Sequence, residues 1–234
     1  MKIGILQPGH NADELIATHG DYNDMFMRLL DGHGFTFETY AVVDGIFPQS
    51  ANEADGWLIT GSRHGAYEDH DWIPPLEDLI REIYASGRPM VGVCFGHQII
   101  AQALGGKVEK FKGGWSVGRV DYEIGDHTVA LNAFHQDQVT ALPEDAEPMG
   151  GSDFCQFAML RYGQKALTIQ PHPEFTPSMV SDLIDARSAI LPGDVMEKAK
   201  AAAGPVESGV LADQFASFFR SGHDARLAAQ AKAS

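Results

Sequence analysis

Over its first hundred residues the chain alternates short apolar runs with helix-like stretches, and this order narrows the architectures open to it. Lys2–Leu6 (KIGIL) is an apolar run stopped by Gln7-Pro8-Gly9, as a buried strand would be. Asp21 is placed to cap a helix with Met25, Phe26, Leu29 and Leu30 on one face, ended by Gly32 and Gly34. Residues 35–40 (FTFETY) alternate apolar and polar side chains and predict a strand, and residues 55–60 (DGWLIT) predict a buried one stopped at Gly61. Pro74 and Pro75 open a helix, LEDLIREIYAS, that Gly87 closes. Residues 89–93 (PMVGV) form the next strand, and residues 97–104 a helix stopped by Gly105-Gly106. The series predicts an α/β fold: an open, mostly parallel twisted sheet flanked by helices.

From residue 107 the pattern changes. Strand-like pieces at residues 107–111, 119–124, 128–131, 155–161 and 166–170 are separated by turn residues, which predicts antiparallel strands added to the same sheet. Beyond Pro177 the chain reads as helical, Ala-rich at residues 199–203 and again from Gly222. No internal repeat or linker marks a boundary. Residues 1–190 are expected to form one domain, with 191–234 a helical C-terminal extension whose last dozen residues fray. A chain of 234 residues buries roughly 70–75% of its unfolded surface, so no disulfide or metal staple is required.

Charge excludes several classes of partner. Lys and Arg number 17 against 32 Asp and Glu, a formal net charge of −15. Such a polyanion lacks the cations whose counterion release drives nucleic-acid binding, and anionic membranes repel it. No apolar run reaches membrane-spanning length, and the N-terminal one is too short for a signal-peptide core. Two cysteines, Cys94 and Cys155, make no disulfide framework, so a cytoplasmic location is expected.

The sharpest local feature is Gly92-Val93-Cys94-Phe95-Gly96-His97-Gln98. A strand runs straight into a helix with cysteine at the corner and glycines two before and two after, the arrangement of a nucleophile elbow. The glycines are needed where strand and helix nearly touch, and the first N–H groups of the helix stabilise negative charge on the sulfur. The competing reading is a buried structural thiol beside a tight turn. Cys155, in CQFAMLRY, has no elbow and reads as a core thiol. A nucleophile needs a base, and His172 lies in Gln170-Pro171-His172-Pro173-Glu174-Phe175. The prolines fix its backbone, and Glu174 can hold the imidazole in one tautomer, completing a Cys-His-Glu set of nucleophile, base and orienting carboxylate.

In these residues the chain resembles the class I glutamine amidotransferases. The resemblance rests on GVCFGHQIIAQALGG from Gly92, QPHPEF from Gln170 and DGWLITGS from Asp55, and it spans residues 1–190. It implies the flavodoxin-like form of the fold, and it implies that Cys94 attacks a glutamine side-chain amide, that His172 passes the proton to ammonia, and that Glu174 orients His172. It further implies an oxyanion hole from the backbone N–H groups of Phe95 and Ser62, and substrate contacts from Gly61, Gln98 and the loop Phe134-His135-Gln136. No cofactor is implied. Two positions depart from the family pattern: Ser62-Arg63 where Gly-Pro is usual, and Phe134 where Ser is usual. No phosphate-binding loop accompanies the motifs, which resembles the stand-alone group, akin to the glutaminase part of GMP synthase and to the γ-glutamyl peptidases.

Hydrolysis of glutamine, with ammonia passed to a partner enzyme, and hydrolysis of a γ-glutamyl peptide are therefore both expected readings. Arg63 could pair with a carboxylate beyond the scissile amide. The contrasting classes are a DJ-1-like chaperone or redox protein and a non-catalytic regulatory subunit, neither of which requires the full Cys-His-Glu set. His64 and His70 lie near Asp69 and Asp71, but no H-E-x-x-H or paired-cysteine pattern accompanies them, so no metal site is expected.

Overall fold

The computed structural model describes residues 1–233. In chain order the elements are β1 (Lys2–Leu6), α1 (Asp13–His19), α2 (Tyr22–Leu29), β2 (Thr36–Tyr40), β3 (Gly56–Ile59), α3 (Ile73–Ser86), β4 (Met90–Val93), α4 (Phe95–Ala103), β5 (Lys107–Lys110), β6 (Ser116–Ile124), β7 (His127–His135), β8 (Asp137–Ala141), β9 (Glu147–Gly151), β10 (Met159–Tyr162), β11 (Ala166–Ile169), α5 (Pro177–Ala186), α6 (Gly193–Ala201) and α7 (Ser208–Ala233). Nine strands form one mixed sheet in the order β2-β1-β3-β4-β11-β10-β9-β6-β7, and β5 and β8 pair separately. From β2 to β11 the pairings are parallel, and from β11 to β7 they are antiparallel.

The two-residue period of the strands sorts side chains onto opposite faces. On β3, Trp57 and Ile59 join Ile80 and Ile83 of α3 and Ile99 and Ile100 of α4 on one face. Leu58 points the other way, to a second core with Ile3, Ile5, Val91 and Val93. Phe26 of α2 and Phe215 and Phe219 of α7 cover that face. The helical segment beyond residue 190 thus supplies core side chains, and Phe215 and Phe219 of α7 are fully buried. Gly4 makes room for Trp57: a Cβ there would lie 2.3 Å from the indole ring. Asp21 closes a capping box on α2 with Asp24, and Gly87 ends α3 in the left-handed region at φ 71°.

Several expectations are corrected. The turn-separated pattern groups residues 166–170 with the antiparallel strands, but β11 runs parallel to β4 and antiparallel only to β10. Its residues ALTI are all buried, as in the doubly covered strands of a parallel sheet. The helix expected at residues 97–104 starts earlier, at Phe95, immediately after Cys94. Strand 155–161 shortens to Met159–Tyr162. Elements α1, β8 and β9 carry no clear periodicity, and the sequence pattern does not predict them. No helix of the described residues is long and apolar enough to cross a membrane.

Candidate active site

The turn from β4 into α4 is held by close backbone approach. Gly92 and Gly96 face each other across it: a Cβ on Gly92 would lie 2.5 Å from the Gly96 carbonyl oxygen. A Cβ on Gly96 would lie 2.2 Å from the Ile59 carbonyl oxygen of β3. Any side chain at either position forces strand and helix apart. Between them Cys94 sits at φ 52°, ψ −103°, and it is the only non-glycine residue with positive φ among those described. Such strain persists only where the surroundings enforce it. Here the Cys94 N–H donates to Ile169 O at 2.9 Å and the Gly96 N–H to Thr60 O at 3.2 Å. The Phe95 N–H that follows is the first of α4, where no intrahelical acceptor exists.

His172 faces this corner from the loop after β11. Its backbone N–H donates to Asn132 O of β7 at 2.7 Å, forming an isolated antiparallel bridge. Asn132 Nδ2 in turn donates to Phe175 O at 2.9 Å. The Phe175 ring lies flat on the imidazole, centroids 4.0 Å apart and planes within 1°. His172 Nδ1 hydrogen-bonds Glu174 Oε1 at 2.7 Å, and the Glu174 side chain is fully buried. The other carboxylate oxygen, Oε2, has no hydrogen-bond partner among the described residues. Burial alone would depress the His172 pKa, but the Glu174 carboxylate and the Cys94 sulfur hold it well above the usual imidazole range. The same sulfur is within hydrogen-bonding reach of the ring.

Two further buried histidines behave oppositely. His97 hydrogen-bonds Thr168 Oγ1 at 2.7 Å, and His135 hydrogen-bonds Asp137 O at 3.2 Å. Burial, then a neighbouring histidine, pushes each down to about 3. Among the three, only His172 has a carboxylate against its ring. The cysteines differ too: Cys94 opens onto a cleft, whereas burial pushes the Cys155 thiol up to about 12.

The remaining expected residues gather around that cleft. Ser62, Gln98, Phe134, His135 and Gln136 line it. Gly61 borders it so closely that a Cβ would come within 3.0 Å of His172 Cε1 and 3.8 Å of Cys94 Cβ. Ser62 Oγ donates to Pro8 O at 2.9 Å and accepts the His64 N–H at 3.1 Å, which fixes the loop around its own backbone N–H. Gln98 Nε2 donates to Asp137 O and to Gln170 Oε1, at 2.9 and 3.1 Å, so its carbonyl oxygen is left for other contacts. Phe134 packs edge-on against Trp115 at 5.9 Å. Sequence reasoning misses Tyr22, Lys110, Trp115 and Arg187, which also line the cleft, because each lies outside the two motifs and only the fold brings it to them.

The model of the class-I glutamine amidotransferases matches residues 35–185. This chain belongs to that family. Among curated relatives, γ-glutamyl peptidase 4 of Arabidopsis thaliana is 34% identical over 185 residues, covering 72% of this chain and 73% of the relative. The glutamine-hydrolysing GMP synthase component of Archaeoglobus fulgidus is 31% identical over 169 residues, covering 68% and 87%. Among solved structures, a glutamine amidotransferase from Methylobacillus flagellatus superposes with TM-score 0.73 at 18% identity, over 96% of this chain and 94% of that one. At that identity the superposition speaks for the fold alone.

Proposed function

We propose that this amidotransferase-family chain hydrolyses γ-glutamyl amide bonds through a thioester on Cys94. The observation that carries the reading is the strained Cys94 at the head of α4, facing an imidazole held by a buried carboxylate at 2.7 Å. In the proposed reaction the Cys94 sulfur attacks the γ-carbonyl carbon. The carbonyl oxygen takes the negative charge and is met by the Phe95 and Ser62 N–H groups; one such donor is worth about 10²–10³ in rate. His172 delivers its proton to the departing amine as the C–N bond breaks, leaving the γ-glutamyl thioester. Water then attacks the thioester while His172 takes its proton, and glutamate and the free thiol are restored. Glu174 keeps His172 in the tautomer with Nδ1 protonated. A regulatory or DJ-1-like role has no use for a buried carboxylate committed to one histidine.

Of the two substrate readings, the γ-glutamyl peptide is favoured by the cations of the cleft. Arg63, Lys110 and Arg187 line it, on a chain of net charge −15, alongside the acidic Glu68 and Asp137. These cations suit a substrate with a carboxylate beyond the scissile bond, as a γ-glutamyl dipeptide has and glutamine lacks. The relatives include proteins named γ-glutamyl peptidase. The second reading, glutamine hydrolysis with ammonia passed to a partner enzyme, rests on those named as the glutamine-hydrolysing component of GMP synthase. With both cysteines free, a reducing compartment such as the cytoplasm suits this chemistry.

The test is kcat/KM for glutamine and for a γ-glutamyl dipeptide, in the parent and in Arg63→Ala. The dipeptide is expected to be preferred by about tenfold or more, the worth of a charged hydrogen bond. Arg63→Ala should narrow that preference. Robust turnover of glutamine with no preference would favour the ammonia-donor reading.

A further inference from the structure

On the rim of the same cleft, a second group of side chains converges in a way the hydrolysis does not use. His64, Glu68 and His70 lie in the loop between β3 and α3, and one ligand atom from each falls within 4.8 Å of the other two. His70 Nε2 lies 2.8 Å from Glu68 Oε2, and His64 Nδ1 lies 3.5 Å from the same oxygen. Asp69 and Asp71, the carboxylates adjacent to His70 in sequence, are not part of the group.

We infer that His64, Glu68 and His70 form a binding site for a first-row divalent transition ion of the zinc class, because two imidazoles and one carboxylate already converge on one point at ligand spacing.

The spacing fits. Tetrahedral ligands at about 2.0–2.1 Å from zinc lie roughly 3.3 Å from one another; the two histidine–Glu68 separations, 2.8 and 3.5 Å, bracket that value, and the ligand atoms of the two imidazoles lie within 4.8 Å of each other. At the two Glu68 contacts an ion could enter with adjustments of a few tenths of an ångström, replacing the His70–Glu68 hydrogen bond and the longer His64–Glu68 ion pair. The donor set is also selective. Imidazole nitrogen suits zinc, cobalt, nickel and copper, whereas magnesium and calcium prefer oxygen alone.

The rings are held before any ion arrives. Trp72 stacks on His70, centroids 5.6 Å apart and planes within 9°, and meets His64 edge-on at 5.7 Å. Trp72 packs in turn on Phe95, the residue after Cys94, at 5.7 Å. Backbone bonds pin the loop: Glu68 N–H to Gly65 O at 3.1 Å, His70 N–H to Glu68 O at 3.1 Å and Ile73 N–H to His70 O at 3.0 Å. Three protein ligands leave a further coordination position for water or for a carboxylate group, and His64 and Glu68 both line the cleft.

The test must separate this site from zinc capture by the Cys94 thiol, so it uses the full chain carrying Cys94→Ser. Cobalt(II) titration should give one equivalent of visible absorption bands, without the intense near-ultraviolet charge-transfer band of a thiolate ligand. Zinc should displace the cobalt and magnesium should not. His64→Gln, Glu68→Gln and His70→Gln, each checked for folding by circular dichroism, should weaken binding at least tenfold. His33→Gln, at a histidine outside the group, should leave it unchanged. No bound equivalent in the folded Cys94→Ser protein, or binding that survives both His64→Gln and His70→Gln, would overturn the assignment.

Discussion

The parallel and antiparallel halves of the sheet meet at β11, and they build the cleft by different means. In the parallel half, β3 (GWLI) and β4 (MVGV) are buried at every position and layered between helices. That half presents Cys94 through covalent geometry: a strand end, a strained φ and two glycines that let backbones touch. In the antiparallel half, β9 exposes much of its length and β6 alternates in burial. That half acts through single contacts, since Asn132 of β7 holds the His172 backbone and Phe134 and His135 at the end of β7 line the cleft. Cys94 is thus placed where β3, β11 and the head of α4 touch, and His172 by a strand some forty residues earlier.

The largest expected effect tests the parallel half directly. Cys94→Ala should abolish turnover, a loss of at least about 10⁴-fold for a nucleophile of this kind. Cys155→Ala should stay within roughly threefold of the parent, as suits a thiol that only packs. Labelling by a glutamine-like electrophile should occur once, at Cys94, and a label on Cys155 would reverse the assignment.

The next effect tests the junction of the halves. His172→Ala should cost about 10³–10⁴ in kcat/KM, and Glu174→Gln less, roughly 10²-fold. The double variant should be no worse than His172→Ala alone, whereas multiplying losses would show that the two residues act separately. Stability carries a linked signature. The folded-state pKa of His172 is raised above its ordinary 6.5. Its stabilising contribution is therefore complete below pH 6.5 and is lost as pH climbs through the raised value. In urea unfolding, the stability gap between parent and Glu174→Gln should be widest near pH 6 and close as the solution becomes alkaline.

The smallest effect compares two glycines, one from each half. At Gly96 a methyl group would strike a carbonyl oxygen in the parallel core, so Gly96→Ala should cost about 3 kcal/mol by overpacking. Gly163, in the β10–β11 turn, has φ 56° and open space where its Cβ would sit. Gly163→Ala should cost only about 1 kcal/mol, the penalty of the left-handed conformation. Equal losses in chemical denaturation would show that close approach at the elbow matters less than its geometry suggests.

The parallel half is the more legible in sequence because local chemistry reports on it. Continuous apolar runs, Pro74-Pro75 at a helix start and Gly87 at its end are decided within a few residues of themselves. Strand β9 (EPMGG) is illegible because it carries one large apolar side chain and two glycines, leaving no period-two signal. Helix α1 is hard to see because Ala12 at its N-cap makes no side-chain hydrogen bond. The direction of β11 is hidden because ALTI reads the same whichever way its neighbours run, and only pairing with β4 settles it.

The sequence by itself determined the strand-to-helix corner, its cysteine, and the presence of His172 and Glu174 two residues apart. Each depends on backbone sterics or on bonds between near neighbours, which any local window contains. Only the tertiary structure decided which buried histidine is raised, since that depends on Glu174 lying against His172 while His97 and His135 face no carboxylate. It alone also gathered Arg63, Lys110 and Arg187 around one cleft, and turned Glu68, not Asp69 or Asp71, toward His64 and His70. Burial and charge act through space over a few ångströms, and the chain crosses those distances only once the sheet has closed its long-range pairings.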